Sequence, residues 1–400
     1  MAAPGTASRI ASRTSLRRGR ASVPEAGLSA SQSTTTCEAS HKLIAWEASQ
    51  LAKLPSLQAL RGIAANLVVT YHLFLVDEKF TGGTLPHFLN YGTAGVDVFF
   101  VLSGFIMAAV AAQNVGPVQF LWRRVLRIYP TYWIVSLIVL AVSLISPELV
   151  NSSIHEPISV WRSFLLIPQR TLPLLAVGWT LIHEMYFYVI FALILFFRVS
   201  IRAGLMVWAL SLGIGWLLIP SAEIASSPIL RLVMSPLTAE FMMGAAVGLL
   251  YRNTAVYMAR AAGAAGLFGL VASIGILAPV LALDDGPSLE MWRVVLFGVP
   301  SALIIYSLAG LKLRTPIWCL AGLVALGDWS YSTYLVHVLV VAALGRIIAF
   351  GVPAGAGAAV LLVTAGVLLA NLAGAALFYG FERPVLRASK CVPSWMSRPT

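Results

Sequence analysis

The chain has 400 residues, of which 59% are hydrophobic and only 11% charged, with a mean hydropathy of +0.85. That excludes a soluble globular domain, where about a quarter of residues are charged. A formal net charge of +11 in so apolar a chain points to basic loops on one face of a bilayer rather than to nucleic acid, and Cys37, Cys319 and Cys391 are too scattered for a metal site or a disulfide framework.

Residues 1–50 are rich in Ser, Thr, Ala and Arg, with no apolar run after the basic cluster. They read as a disordered basic cytosolic tail and not as a secretory signal. Residues 51–390 read as one all-α membrane unit, a polytopic bundle of about ten spans, and 391–400 as a second short cytosolic tail. The predicted spans are 57–76, 93–113, 131–147, 178–197, 203–220, 229–250, 262–283, 294–311, 323–345 and 355–379. With the N-terminus inside, 21 of the 27 Lys and Arg fall on the inner side and 6 outside. The positive-inside rule therefore predicts both termini in the cytosol, with 77–92, 147–177 and 284–293 as outside loops.

The first span, LQALRGIAANLVVTYHLFLV, carries Arg61 near its start and His72 near its end. Eleven residues are about three helical turns, so the two side chains share a face, roughly 16 Å apart along the axis. Ionisable groups inside a bilayer are costly and normally face a cavity or a partner. In GVDVFFVLSGFIM, Asp97 suits either a helix cap or the orientation of a substrate hydroxyl, and Ser103-Gly104 suits close helix approach or an oxyanion donor. In FLWRRVLRIYP, an expected inner loop, Arg123, Arg124 and Arg127 fit a topology anchor or a phosphate clamp.

In GWTLIHEMYFYVIF, Glu184 and Tyr188 are four apart and share a face. Counting from the span ends brings Glu184 to the depth of His72, so a carboxylate is expected to orient the imidazole. Glu240, in the sixth span, is expected either to pair with an intramembrane Arg or His or to remain protonated. In LGDWSYSTYLVH, Asp328 is placed to cap the ninth span, and Ser330, Tyr334 and His337 form an inward polar stripe. FERP (381–384) is expected to stop the tenth span.

Taken together, LQALRGIAANLVVTYH, GVDVFFVLSGFIM, RRVLRIYP, GWTLIHEMYFY, LGDWSYSTYLVH and FERP resemble the membrane-bound acyltransferase-3 family, and GWTL..EM.FY with EF..G is most similar to its exopolysaccharide-production branch. The resemblance covers roughly residues 55–390. It implies acyl transfer from acyl-CoA to a sugar hydroxyl in a bacterial inner membrane. His72 would be the catalytic base, Arg61 its essential companion, and Arg123, Arg124 and Arg127 the CoA side. Glu184 joins the expected catalytic set. Asp97, Ser103, Tyr188, Glu240, Ser330, Tyr334 and His337 are the expected substrate-binding residues. The expected partners are acetyl-CoA or another acyl-CoA as donor substrate, a lipid-linked saccharide or polysaccharide acceptor, and membrane lipids. No permanently bound cofactor, metal or nucleic acid is expected. The alternative is a proton-coupled glycolipid transporter with His72, Glu184 and Glu240 as a relay.

Overall fold

The computed structural model describes residues 54–111, 115–150, 158–280, 287–311 and 318–388. These are mostly helical, joined by turns and short loops, with no strand among them. Ten helical segments among them are long and apolar enough to cross a membrane. In lipid a helix satisfies its own backbone groups, so apolar runs of this length have few other options. The expected tails at 1–50 and 391–400 lie outside the described residues.

Helix α1 (Pro55–Phe80) opens with proline in its first turn, where a missing N–H costs nothing. It runs as the bundle's central post. Its C-terminal end is held by Asp77, which is fully buried. Thr81 donates its hydroxyl to the Asp77 carboxylate, and the Leu85 N–H donates to its other oxygen at 2.8 Å. The loop after α1 is thus pinned over the helix rather than open to solvent. Helix α2 (Ala94–Ala111) follows. It packs on α6 (Thr238–Leu250) so closely that a Cβ on Gly104 would lie 1.9 Å from the Phe241 carbonyl oxygen, and one on Gly244 would lie 1.8 Å from that of Val101. The expected small-residue approach at Ser103-Gly104 is therefore made by Gly104 with Gly244.

Helix α3 (Pro117–Ile145) differs from expectation. FLWRRVLRIYP is not a loop but the first turns of this helix, with Pro130 inside it. The three arginines do not break it because they project into the interior cavity described below. Next come α4 (Gly178–Phe196), α5 (Ile201–Leu218), α6, α7 (Val256–Val280) and α8 (Val299–Leu311). A π-helical turn, Val294–Gly298, leads into α8.

The ninth expected span is two helices, α9 (Trp318–Asp328) and α10 (Ser330–Gly351), broken at Trp329. Asp328 ends α9 instead of capping α10, and accepts from Gln58 Nε2 of α1 at 2.7 Å. After α11 (Ala356–Leu377), FERP does not stop the chain. A π-turn, Phe378–Glu382, carries it into α12 (Arg383–Ala388).

The connection expected as an outside loop over 147–177 packs into the bundle in its second half. Leu166, Leu174, Leu175 and Val177 are buried. The carbonyls of Ser163, Phe164 and Leu165 accept from Tyr132, Trp133 and Tyr129 of α3 at 2.7, 2.9 and 2.9 Å. On α10, Arg346 donates to the Leu149 carbonyl and Tyr334 to that of Val177. Those two positions are twelve residues apart, so the segment descends roughly 18 Å before α4 begins.

Candidate functional site

Inside the bundle lies a cavity of about 610 Å³. Six arginines line it, namely Arg61, Arg123, Arg124, Arg127, Arg383 and Arg387, against two carboxylates, Glu184 and Asp328. The excess gives the cavity a positive potential that favours an anion. Three helices supply the arginines: α1, α3 and, after the π-turn that ends α11, α12. Among the described residues no group of three or more His, Cys, Asp or Glu is placed to hold a metal.

The arginines are fixed by their neighbours. Arg61 Nη1 donates to Gln58 Oε1 at 3.2 Å, one turn back on α1. Arg124 stands over the Phe120 and Tyr188 rings, 5.6 Å from each centroid. Arg127 pairs with Glu382 Oε1 at 2.7 Å and stacks on Tyr331. Ser332 Oγ donates to the other oxygen of Glu382 at 2.5 Å. Glu382, only 1% exposed, thus fastens α3, α10 and the end of α11 together. Arg127 is already held by a carboxylate, whereas it was expected to stand with Arg123 and Arg124 on the CoA side.

Glu184 is also placed differently from expectation. Ser103 Oγ donates to its Oε1 at 3.1 Å, and the Tyr188 hydroxyl donates to the same oxygen. The i, i+4 pair is as the spacing predicts, but no hydrogen bond joins Glu184 to His72. The reason is the descending segment: α4 starts deep, so depth counted from its first residue places Glu184 too near His72. His72 is instead held by His337 of α10. His72 Nδ1 lies 2.9 Å from the Val68 carbonyl and 3.2 Å from His337 Nε2, with the rings edge to face and 4.7 Å between centroids.

Neither histidine lines the cavity. Phe99, Thr180 and Tyr334 close it beside them. The Tyr334 ring is 6.0 Å from Phe99 and 5.9 Å from His337, and its hydroxyl shares a 2.7 Å hydrogen bond with Thr180 Oγ1. The expected stripe of Ser330, Tyr334 and His337 is buried. Ser330 has a local duty, donating to the Gly327 carbonyl at 2.8 Å where α9 meets α10.

Asp97 and Glu240, expected to bind substrate, lie outside the cavity lining. Asp97 is fully buried and pairs with Arg293 at 2.9 Å. Glu240 is also fully buried and packs over Gly298, where a Cβ would come within 2.8 Å of it. Arg293, Gln58, Asp328, Glu382, Arg383 and Arg387 had not been singled out as site residues. Their signal was present: each is a polar group in or at the end of an apolar run, where such groups are expensive.

Comparison with known proteins gives concordant matches. A family model described as "Acyltransferase domain" matches residues 54–380. The exopolysaccharide production protein ExoZ of Rhizobium meliloti (strain 1021) is 32% identical over 340 residues, 80% of this chain and 95% of the relative. The acyltransferase MdmB of Streptomyces mycarofaciens is 30% identical over 323 residues, 73% of this chain and 80% of the relative. The O-acetyltransferase OatA of Staphylococcus aureus (strain NCTC 8325 / PS 47) is 26% identical over 167 residues, 36% of this chain and 25% of the relative. No solved structure matches.

Proposed function

Since the chain belongs to the acyltransferase-domain family, whose model covers residues 54–380, we propose that it is an integral membrane O-acyltransferase that moves an acyl group, acetyl in the simplest case, from acyl-CoA to a sugar hydroxyl. The acceptor would be an exopolysaccharide or its lipid-linked precursor, as the name of the ExoZ relative suggests. The protein would sit in a bacterial inner membrane with both termini in the cytosol.

One observation carries the reading: an arginine-lined cavity ends beside an imidazole pair. Guanidinium groups fork onto phosphate oxygens, so Arg123, Arg124, Arg383 and Arg387 suit the phosphates of a CoA nucleotide. Leu102, Ile106, Met107 and Phe99 also line the cavity, an apolar surface that suits the pantetheine arm. Arg61, lining the same cavity, suits the amides of that arm or the thioester oxygen. His72 accepts the proton of the acceptor hydroxyl as its oxygen attacks the thioester carbonyl. The C–O bond forms, the C–S bond breaks, and His72 returns the proton to the departing thiolate, releasing CoA. The thioester meets His72 when Tyr334 and Phe99 turn aside. Glu184, with Ser103 and Tyr188, balances the guanidinium charge of Arg61 and Arg124 and does not touch the base.

The test is acetyl incorporation into polysaccharide by membranes given labelled acetyl-CoA, at matched protein level. His72→Gln keeps a hydrogen-bonding side chain but accepts no proton at neutral pH. It should lose about 10²–10⁴-fold in rate. Near-normal incorporation would refute the base assignment.

A further inference from the structure

The two imidazoles face each other through ring nitrogens, and their remaining contacts determine which nitrogens carry protons. His337 is fully buried. Its Nδ1 lies 2.8 Å from the Tyr334 carbonyl and 3.2 Å from that of Thr333. A carbonyl oxygen only accepts, so Nδ1 of His337 must be the protonated nitrogen. In the neutral ring its Nε2 is then a bare acceptor. That acceptor sits 3.2 Å from His72 Nδ1. On its other side, His72 Nδ1 meets the Val68 carbonyl at 2.9 Å, again an acceptor. Two acceptors on one nitrogen require a donor there. The proton of His72 belongs on Nδ1, and its Nε2 carries the lone pair.

We infer that His337 is the positioning residue for His72, fixing it in the Nδ1–H tautomer so that Nε2 serves as the base. The inference rests on the proposed reading of His72. It gives His337 a task other than holding substrate. The arrangement has the logic of a base oriented by a third group, with a neutral imidazole where a carboxylate more often stands. When His72 takes the acceptor proton at Nε2, the cation that forms keeps Nδ1–H directed at His337 Nε2 and the Val68 carbonyl. The pair then holds one charge. The Val68 carbonyl is part of α1 and moves with His72. His337 comes from α10, so its contact ties the ring to a second helix.

Two measurements test this on the full-length protein in membranes. The first reads the tautomer directly, by magic-angle-spinning NMR of protein labelled at its six histidines with ¹³C and ¹⁵N. The His72 signals are identified by their loss in His72→Gln. Wild type should show a protonated Nδ1 and a bare Nε2 on His72; a proton on Nε2 overturns the inference. The second is kinetic. His337→Phe fills the space but accepts no hydrogen bond, and should lower kcat about 10- to 100-fold, the scale seen when a tautomer-fixing partner of a working histidine is removed. The donor KM should stay unchanged. His337→Gln, whose amide oxygen still accepts, should recover most of the rate. Wild-type kcat in His337→Phe beside an inactive His72→Gln would refute the positioning role and leave the base assignment standing. An active His72→Gln would remove the base assignment on which this inference rests. Should His337→Phe fail to fold, the wild-type tautomer still decides.

Discussion

Removing Arg293 should damage this protein more than removing the carboxylate it serves. Arg293 forks onto Asp97, with Nη2 at 2.9 Å from Oδ2 and Nε at 3.4 Å from Oδ1. Asp97 is fully buried, and Glu240, also fully buried, lies within the field of both. In Arg293→Met the cation goes and the packing volume stays, leaving Asp97 uncompensated with a second carboxyl beside it. Breaking a buried pair this way costs about 3–5 kcal/mol. Asp97→Asn keeps the shape and an acceptor, and leaves Glu240 beside the guanidinium. It should cost about 1–3 kcal/mol, one hydrogen-bond mismatch. The double variant removes both charges and should be more stable than Arg293→Met alone. Thermal midpoints of purified protein in one detergent measure the order: wild type, Asp97→Asn, the double variant, then Arg293→Met. The same variants report on acyl transfer. If Asp97 oriented a substrate hydroxyl, Asp97→Asn would lose activity with its midpoint unchanged. That result, or an Arg293→Met variant as stable as wild type, would refute the structural role.

Three further outcomes follow from the cavity and the helix contacts. Arg124→Ala should raise the apparent KM for acyl-CoA at normal protein level, because Arg124 lines the cavity and stands over two aromatic rings. Arg127→Ala should instead reduce the amount of folded protein, since it strands Glu382 in the interior; equal KM effects from both would argue against the distinction. Gly104→Val should abolish expression of folded protein, as even a Cβ there would stand 1.9 Å from a backbone oxygen, and fluorescence-detected size exclusion would show a lost monodisperse peak.

The spans were legible because apolar runs of membrane length have few alternatives to helix. What was not legible was how helices meet. RRVLRIYP looked like a loop because three arginines in lipid are forbidding; the structure turns them toward a shared cavity, which a one-dimensional reading does not contain. The break at Trp329 left no trace in hydropathy, since ALGDWSYSTYL is apolar enough on both sides. The polar face of α10 was visible at i, i+4, i+7, yet periodicity names a face and not the helix opposite. His337 was therefore read as touching substrate, and Glu184 was assigned to His72 by counting from a span end that the descending segment 158–177 displaces. The family resemblance, carried by motifs spread along the whole chain, did not depend on how the helices meet, and the matching family model covers the same stretch.

The layer of Phe99, Thr180 and Tyr334 has an electrical consequence. Six guanidinium groups against two carboxylates set up a positive potential on one side of that layer. Moving one elementary charge across a membrane involves about 2.3 kcal/mol per 100 mV. The positive potential of those groups holds a phosphate-bearing nucleotide on the cavity side. An acyl carbonyl carries no net charge and is indifferent to it, so the layer discriminates electrically between a nucleotide and a neutral group.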